Sequence, residues 1–267
     1  MGFMEIVLIG SGNTATVLGW KLKRAGHHIL QVYSQNAEHA SELAGKLDTE
    51  FISASDHINH NADLYLMAIS DQALMDKKNQ FGFGRKLTVH TAGSVPMNAL
   101  SRFTLNYGVL YPLQSLRKEI PDVKEIPFLI DGNTNENLTL IQDLAHSLSN
   151  LVSRADDIAR MKIHLSAVIV NNFSNHLYAL AEEFCIKENI RFELLQPLMR
   201  ESIKRLESNS PKQMQTGPAI RSDQFTIDKH LEMLDHYPSL QNLYQFISKN
   251  IQENLNLYAK QFPKSGI

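Results

Sequence analysis

The sequence predicts an α/β protein with an N-terminal doubly wound parallel sheet and a C-terminal all-α domain, and three observations support this fold class. In the first half, short apolar runs rich in β-branched residues alternate with helical patterns, the order expected of βαβ units. Beyond residue 156 the strand-like runs disappear. Residues 158–188 contain neither proline nor glycine, which is typical of one long helix or two.

The size and charge of the chain limit the function classes. It has 267 residues, 43% of them hydrophobic and 20% charged, a profile that excludes a disordered or fibrous protein. The length suggests two domains, which we place at residues 1–153 and 154–267. Because the formal net charge is −2, nothing in the composition indicates a nucleic acid or an anionic membrane as partner.

Cysteine content and hydrophobicity indicate the compartment. Cys185 is the only cysteine, so no intrachain disulfide and no cysteine-ligated metal are expected, and no histidine pair has a zinc-binding spacing. The first apolar run contains Glu5 and ends at Gly10, which is too short and too acidic for a signal peptide. No stretch approaches the roughly 18 apolar residues of a membrane span. We therefore expect a cytoplasmic protein without a metal.

The predicted elements begin with one βαβ unit. It consists of a strand at residues 5–9, a helix at 13–25 that ends before Gly26, and a strand at 29–33. Further strands are predicted at residues 64–69, 87–90, 108–111 and 128–130, and further helices at 37–47 and 136–149. After the long helical stretch, helices are predicted at 193–206, 226–234 and 239–261, with an irregular segment at 209–223.

A glycine-rich turn directly follows the first strand and opens a helix. Residues 10–15 form a GxGxxA pattern, in which Gly10 permits the tight turn, Gly12 allows a pyrophosphate near the backbone, and Ala15 permits close helix-to-strand packing. The helix N-terminus favours phosphate through its N–H groups and its dipole. The pattern predicts a dinucleotide site that includes Asn13 and Thr14. A glycine-rich turn without a ligand is the alternative.

The end of the second strand indicates which dinucleotide binds. An acidic side chain about 20 residues beyond the glycine motif accepts the 2′-hydroxyl of NAD and repels the 2′-phosphate of NADP. Ser34, Gln35 and Asn36 take that place, and no acid occurs before Glu38. These side chains favour NADP, with NAD second, although no arginine or lysine accompanies them. Alternatively, they cap the helix that begins near residue 37.

Other candidate residues follow the carboxyl ends of strands, where ligands bind in open α/β sheets. Ser70 and Asp71 follow one strand, and we expect them to border the cofactor together with Ala92. His90 ends the next strand and is suited to proton exchange near neutral pH, whereas Ser94 is suited to bind nicotinamide or substrate. The alternatives are a strand-end histidine with a backbone partner and a serine that caps a helix.

Polar residues interrupt the long apolar helix at Lys162, His164, Asn171, Asn172 and Asn175. At 100° per residue, His164, Asn171 and Asn175 lie within about 40° of one another, whereas Asn172 lies roughly 80° away. Because an unpaired buried polar group costs about 1–3 kcal/mol, this stripe lines a wet cleft or bonds to other helices. The poor helix propensity of asparagine favours the cleft.

A turn-rich loop at residues 215–223 contains one fixed cation, Arg221. An arginine there is able to bind a carboxylate through two parallel hydrogen bonds. Pairing with Asp223 or with solvent is an equally good interpretation.

Five motifs in combination carry a family resemblance: GSGNTA at 10–15, HTAGS at 90–94, YPLQS at 111–115, KIHLSAVIVNNF at 162–173 and TGPAIRSD at 216–223. The chain resembles, over nearly its whole length, bacterial Rossmann-like NADP oxidoreductases with an all-α C-terminal domain of unknown function. More distantly it is similar to pyrroline-5-carboxylate reductase and to deazaflavin-dependent NADP reductases.

The resemblance implies a Rossmann-type sheet, a homodimer through the helical domain and a substrate cleft between the two domains. It places around that cleft His90, Ser94, His164, Asn172 and Arg221. At two positions the sequence differs from the pattern found in related families. Gln35 stands where many relatives have arginine, and Ser166 follows Lys162 by four residues, where β-hydroxyacid dehydrogenases have asparagine. The resemblance therefore implies neither hydroxyacid chemistry nor an established substrate.

Together these observations predict hydride transfer between NADP(H) and a small C=N or C=O substrate. His164 is the preferred proton donor and His90 the second. Asn172 and Ser94 orient the substrate, and Arg221 holds a carboxylate if the substrate carries one. A sensor or regulator that binds NADP(H) without turnover is the main alternative, since fold alone does not exclude it. An interaction protein with a vestigial cofactor fold is another.

Overall fold

The structure, a computed structural model, describes residues 2–78 and 81–261, with side chains through residue 254. The chain forms two compact units, Met1–Phe173 and Ser174–Ile267. The first unit extends past residue 153, where the sequence places a domain boundary. The functional division at 153/154 stays a prediction.

An eight-stranded sheet in the order β3-β2-β1-β4-β5-β6-β7-β8 forms the centre of the first unit. The strands are β1 (Glu5–Ile9), β2 (His28–Tyr33), β3 (Glu50–Ile52), β4 (Leu64–Met67), β5 (Gly84–His90), β6 (Thr104–Pro112), β7 (Phe128–Gly132) and β8 (Val152–Arg154). The strand order reverses between β1 and β4, and ligands bind beyond the carboxyl ends of strands at such a point. The predicted Rossmann-type α/β class is confirmed.

The pairing of β7 differs from a wholly parallel pattern. β7 runs antiparallel to β6, whereas all other neighbouring strands in this sheet are parallel. A parallel crossover requires a connection that passes over the sheet, usually as a helix. Residues 113–127, which join β6 to β7, contain no helix. The three-residue strands β3 and β8 were too short for the sequence pattern to predict.

Helices cover both faces of the sheet. The α-helices among the described residues of this unit are α1 (Asn13–Arg24), α2 (Ala37–Leu47), α3 (Asp71–Met75), α4 (Asn135–Leu148) and α5 (Asp157–Ala167). Strand β1 shows why the sheet needs two covered faces: Ile6 and Leu8 join one buried cluster and Val7 and Ile9 join another. Alternate residues of a strand point to opposite faces, so a strand that is apolar throughout is buried on both.

A π-helical segment, Val168–Phe173, directly follows α5 and ends the first unit. The second unit contains α6 (Ser174–Lys187), α7 (Gln196–Leu206), α8 (Gln224–Met233) and α9 (Pro238–Gln261). Its described residues include no strand, which confirms the predicted all-α C-terminal part. None of the helices in the described ranges combines the length and apolarity that a membrane crossing requires.

Candidate active site

The turn after β1 requires glycine at its first position. Gly10 has a φ of +120°, and a Cβ added there would lie 2.2 Å from the carbonyl oxygen of Ala68, beyond the end of β4. The N–H of Gly10 donates to the carbonyl oxygen of Tyr33 over 2.8 Å. The turn is therefore held between the carboxyl ends of β2 and β4, at the reversal of strand order.

The N-terminus of α1 has the features of an anion site. Gly12 is its N-cap and provides no side-chain cap, and the first turn contains no acidic residue. The first N–H groups of a helix lack acceptors within the helix and form the positive end of its dipole. A Cβ added at Gly12 would meet nothing within 4 Å. This open, uncapped N-terminus fits a pyrophosphate, so the structure accommodates the predicted dinucleotide.

A cavity of about 290 Å³ lies on the β2 side of this turn. Its lining includes Gly10, Ser11, Gly12, Ser34, Gln35 and Ser70 together with apolar residues, and it contains no aspartate or glutamate. The Ser11 hydroxyl donates to the Ser34 hydroxyl over 2.9 Å. The neighbouring predicted residue, Asn36, caps α2 by accepting from the N–H of His39, as the alternative interpretation expects.

Three other predicted cofactor residues have partners within the protein. The side-chain oxygen Oδ1 of Asn13 accepts from the N–H of Lys118 over 3.2 Å. Ser70 caps α3 by accepting from the N–H of Ala73. Ala92 is buried next to the end of β5, and its N–H donates to Nδ1 of His90. Their contacts with the cofactor stay predictions.

A larger cavity of about 570 Å³ borders the same helix N-terminus through Thr14. Residues after β5, at the end of β6, on α5 and in the π-helical segment form its wall. They are Thr14, Thr91, Tyr111, Pro112, Leu113, Gln114, Ser115, Ile163, His164, Ser166, Ala167, Val168, Val170, Asn171 and Asn172. The first unit alone thus brings Thr14, His164 and Asn172 to one cavity.

A tyrosine and a histidine form a hydrogen-bonded pair in this wall. The Tyr111 hydroxyl lies 2.9 Å from Nδ1 of His164, and the two rings meet edge to face. Gly93 packs against the same histidine so closely that an added Cβ would lie 2.7 Å from Nδ1. Burial raises the pKa of the Tyr111 hydroxyl, and the Asp71 carboxylate raises it further. Tyr111 therefore keeps its proton at neutral pH.

The π-helical segment changes which asparagines accompany His164. A π-helix hydrogen-bonds from i to i+5 and advances by a smaller angle per residue than an α-helix. Asn172 is thereby rotated back towards the His164 side, and Asn171 and Asn172 both line the cavity. The offset of roughly 80° assumed an unbroken α-helix and is wrong for this segment. Asn175 lies in the second unit.

His90 is fully buried and lines neither cavity. Its Nδ1 accepts from the N–H of Ala92 over 3.2 Å. Burial, reinforced by the Arg160 guanidinium, lowers the pKa of His90 to about 4. The ring is therefore uncharged at neutral pH and holds the chain after β5. This environment matches the alternative of a strand-end histidine with a backbone partner.

Ser94 and Arg221 have charged neighbours. The Ser94 hydroxyl donates to the Asp71 carboxylate, and neither residue lines the larger cavity. Arg221 belongs to the second unit, where its Nη2 lies 4.0 Å from an oxygen of Asp223. Asp223 also caps α8 by accepting from the N–H of Thr226. The substrate contacts of Ser94 and Arg221 stay predictions.

The sequence analysis assigned no role to Tyr111, Gly93 or Thr91. Tyr111 stands near the carboxyl end of β6, so the rule that pointed to His90 and Ser70 would also have found it. The contact of Gly93 with His164 joins segments distant in the sequence and leaves no local pattern. Within the described residues, no three histidine, cysteine or acidic side chains are arranged to hold a metal ion.

Two family models match the chain. Residues 5–83 match "NADP oxidoreductase coenzyme F420-dependent", and residues 126–251 match "Domain of unknown function (DUF2520)". A solved structure from Bacteroides fragilis, named a "putative NADP oxidoreductase", is 41% identical, with 94% of this chain and 98% of that chain covered and a TM-score of 0.86. No curated protein matches the chain.

Two further solved structures share the fold at lower identity. A Thermotoga maritima protein is 19% identical, with 94% of this chain and 99% of that chain covered and a TM-score of 0.76. The 1-pyrroline-5-carboxylate reductase of Streptococcus pyogenes is 18% identical, with 94% and 98% covered and a TM-score of 0.58.

Proposed function

Since the chain belongs to the NADP oxidoreductase family, we propose that it transfers hydride between NADP(H) and a small C=N or C=O substrate in the larger cavity. Family membership confirms the predicted resemblance, the oxidoreductase class and NADP as cofactor. One observation supports this placement most strongly. The larger cavity joins Thr14, in the first turn of α1, to the pair formed by Tyr111 and His164.

The residues around the glycine turn would hold the cofactor. The N–H groups after Gly12 bind the pyrophosphate, and Ser34 with Gln35 donates to the 2′-phosphate. The cofactor supplies the hydride when bound. The absence of an acidic residue from the lining of the smaller cavity supports NADP, because a carboxylate there would repel the 2′-phosphate.

His164 delivers the proton that the reduced oxygen or nitrogen requires. In the protonated ring that delivers a proton, both ring nitrogens carry hydrogen, so Nδ1 donates to the Tyr111 oxygen and Nε2 donates to the substrate. The amides of Asn171 and Asn172 hold the substrate by hydrogen bonds. His90, buried and uncharged, is given no proton-transfer role in this proposal.

Loss of NADPH absorbance tests the function with a panel of imines, ketones, 2-keto acids and aldehydes. We expect saturable oxidation with one of these classes and a decrease in kcat of roughly 10²-fold or more in His164→Asn. His146→Asn, at an exposed position on α4, is the matched control. Turnover within a few-fold of wild type in His164→Asn would exclude the proton-donor role. Tight NADPH binding without turnover of any class would instead support the sensor alternative.

We also propose that the protein is a homodimer through its second unit. This unit leaves large apolar side chains exposed, among them Leu194, Leu198, Phe225 and Phe246. Exposed apolar groups of this size commonly mark protein interfaces. Sedimentation equilibrium is expected to give a dimer and to give a monomer for Leu198→Glu, whereas Glu201→Gln on the same helix leaves the dimer intact. A monomeric wild type at micromolar concentration contradicts the proposal.

A further inference from the structure

The wall of the larger cavity contains no fixed charge. None of its fifteen residues is an aspartate, glutamate, lysine or arginine, and its titratable groups are Tyr111 and His164. The remaining polar groups are neutral amides and hydroxyls, namely Thr14, Thr91, Gln114, Ser115, Ser166, Asn171 and Asn172. Such groups bind polar neutral ligands by hydrogen bonds, and they provide no counter-ion for a carboxylate.

The charged groups close to this wall disfavour an anion. Asp71, which accepts from Ser94, raises the pKa of Tyr111 more than the guanidinium of Arg160 lowers it. Arg160 does not line the larger cavity: it lines a separate one, and its Nη2 donates to Asp157 over 2.7 Å and to the carbonyl oxygen of Val95 over 2.5 Å. Of these two charges, the carboxylate thus has the larger effect on the Tyr111 hydroxyl.

Nearby lysines are placed away from the wall. Lys162, on the same helix as His164, lines a separate cavity with Ser94 and Pro96. The ammonium of Lys118 lies 3.7 Å from the Glu42 carboxylate on α2. A carboxylate that enters the larger cavity would give up part of its hydration without gaining an ion pair from the wall, which is unfavourable.

Resting on the proposed function, we propose that the substrate is an imine or carbonyl compound that carries no negative charge. For a neutral imine, the carbon accepts hydride from NADPH, the C=N electron pair moves to nitrogen, and nitrogen takes one proton from the protonated ring of His164, which becomes neutral. The products are an amine and NADP⁺. An iminium ion already carries that proton and needs none. The substrate class thus excludes the carboxylated imines and 2-keto acids.

Matched substrate pairs test this inference through kcat/KM. Each pair differs by one carboxylate: 1-pyrroline against 1-pyrroline-5-carboxylate, and a methyl ketone against the corresponding 2-keto acid. The uncharged member is expected to be favoured by about tenfold or more. A preference for the carboxylated member overturns the inference and leaves the reductase function standing.

Binding gives a second readout that needs no turnover. Calorimetry on the NADP⁺-loaded protein compares pyrrolidine with proline, which differs from it by a carboxylate. Tighter binding of pyrrolidine supports the inference, and tighter binding of proline overturns it. If pyrrolidine binds more tightly than proline but no substrate is reduced, the result contradicts the hydride-transfer function and still supports the charge selectivity of the cavity.

Two variants locate the source of selectivity. Gln114→Arg places a cation in the wall and is expected to shift the preference towards the carboxylated member by about tenfold, whereas Gln114→Met serves as the uncharged control. Arg221→Ala tests whether Arg221 supplies the cation for a carboxylated substrate, and an unchanged ratio of the two members would support the inference. A fall in kcat/KM confined to the carboxylated member in Arg221→Ala would assign carboxylate recognition to Arg221 and overturn the inference.

Discussion

The Tyr111 hydroxyl lies 2.9 Å from Nδ1 of His164, so a tyrosine near the end of β6 fixes the ring of a histidine on α5. Gly93 packs against the same ring. Two contacts distant in the sequence thereby hold the ring in one orientation. A group held in a productive geometry reacts faster than a mobile one.

Replacing Tyr111 with phenylalanine tests the hydrogen bond. We expect Tyr111→Phe to lower kcat by about tenfold with little change in KM, because the substrate groups remain while His164 loses the partner that sets its tautomer. Nitrogen NMR of His164 should show a change in the tautomer ratio in the same variant. Tyr178→Phe, at an exposed position, is the control. Unchanged nitrogen shifts in Tyr111→Phe would exclude the positioning role.

Adding one methyl group at Gly93 tests the packing against His164. The Cβ of Gly93→Ala would lie 2.7 Å from Nδ1 and 3.0 Å from the Tyr111 ring, so the pair must move. A displacement of this kind lowers kcat by about 10²-fold while the affinity for NADPH stays the same. In Gly82→Ala the new Cβ meets nothing within 4 Å, and normal turnover is expected. Equal turnover in both variants would contradict the prediction.

Because the space beside Gly12 is open, a substitution there is expected to weaken cofactor binding without changing the stability of the fold. Gly12→Ala introduces no clash in the protein, so its melting temperature should stay close to wild type. The methyl group occupies the approach to the α1 N-terminus, and the Kd for NADPH is expected to rise by about tenfold or more. Fluorescence titration and thermal denaturation measure the two quantities. Gly45→Ala, inside α2 and also without a clash, should leave the Kd for NADPH unchanged and raise the melting temperature slightly, because alanine favours a helix.

The buried His90 makes stability depend on pH. Its pKa is lowered from 6.5 to about 4 in the folded protein, so below pH 6.5 the unfolded chain binds a proton that the folded protein does not. The contribution of His90 to the free energy of unfolding is therefore fully present above pH 6.5 and is lost as the pH falls towards 4. Between pH 7 and pH 5 the free energy of unfolding should decrease by about 2 kcal/mol from this group.

Urea denaturation of His90→Asn isolates this contribution. Asparagine keeps an acceptor for the N–H of Ala92 but does not titrate. The free energy of unfolding of the variant should therefore change less than that of wild type over the same pH range. His27, whose pKa burial also lowers, contributes a slope of the same sign in both proteins and cancels in the comparison. The exposed His60→Asn is the control. Parallel pH profiles for wild type and His90→Asn would exclude His90 as the cause.

Much of the fold was accessible from the sequence because its signals are local. The period of apolar residues distinguishes strand from helix, and the turn at Gly10 and Gly12 requires glycine for reasons of backbone geometry. The capping alternative for Asn36 also rests on neighbouring residues, and the structure contains that cap. His164 and Asn172 were identified as polar interruptions of an apolar helix, and both line the larger cavity.

By itself, the sequence determined the succession of strands and helices, the glycine turn and the helical second half, since each depends on residues adjacent in the chain. Tertiary structure decided the antiparallel β7, the Tyr111–His164 pair, the rotation of Asn172 by the π-helical segment and the burial of His90. These features depend on contacts between distant segments and on exclusion of water. The pattern of apolar residues within one segment does not indicate which distant side chain will contact that segment.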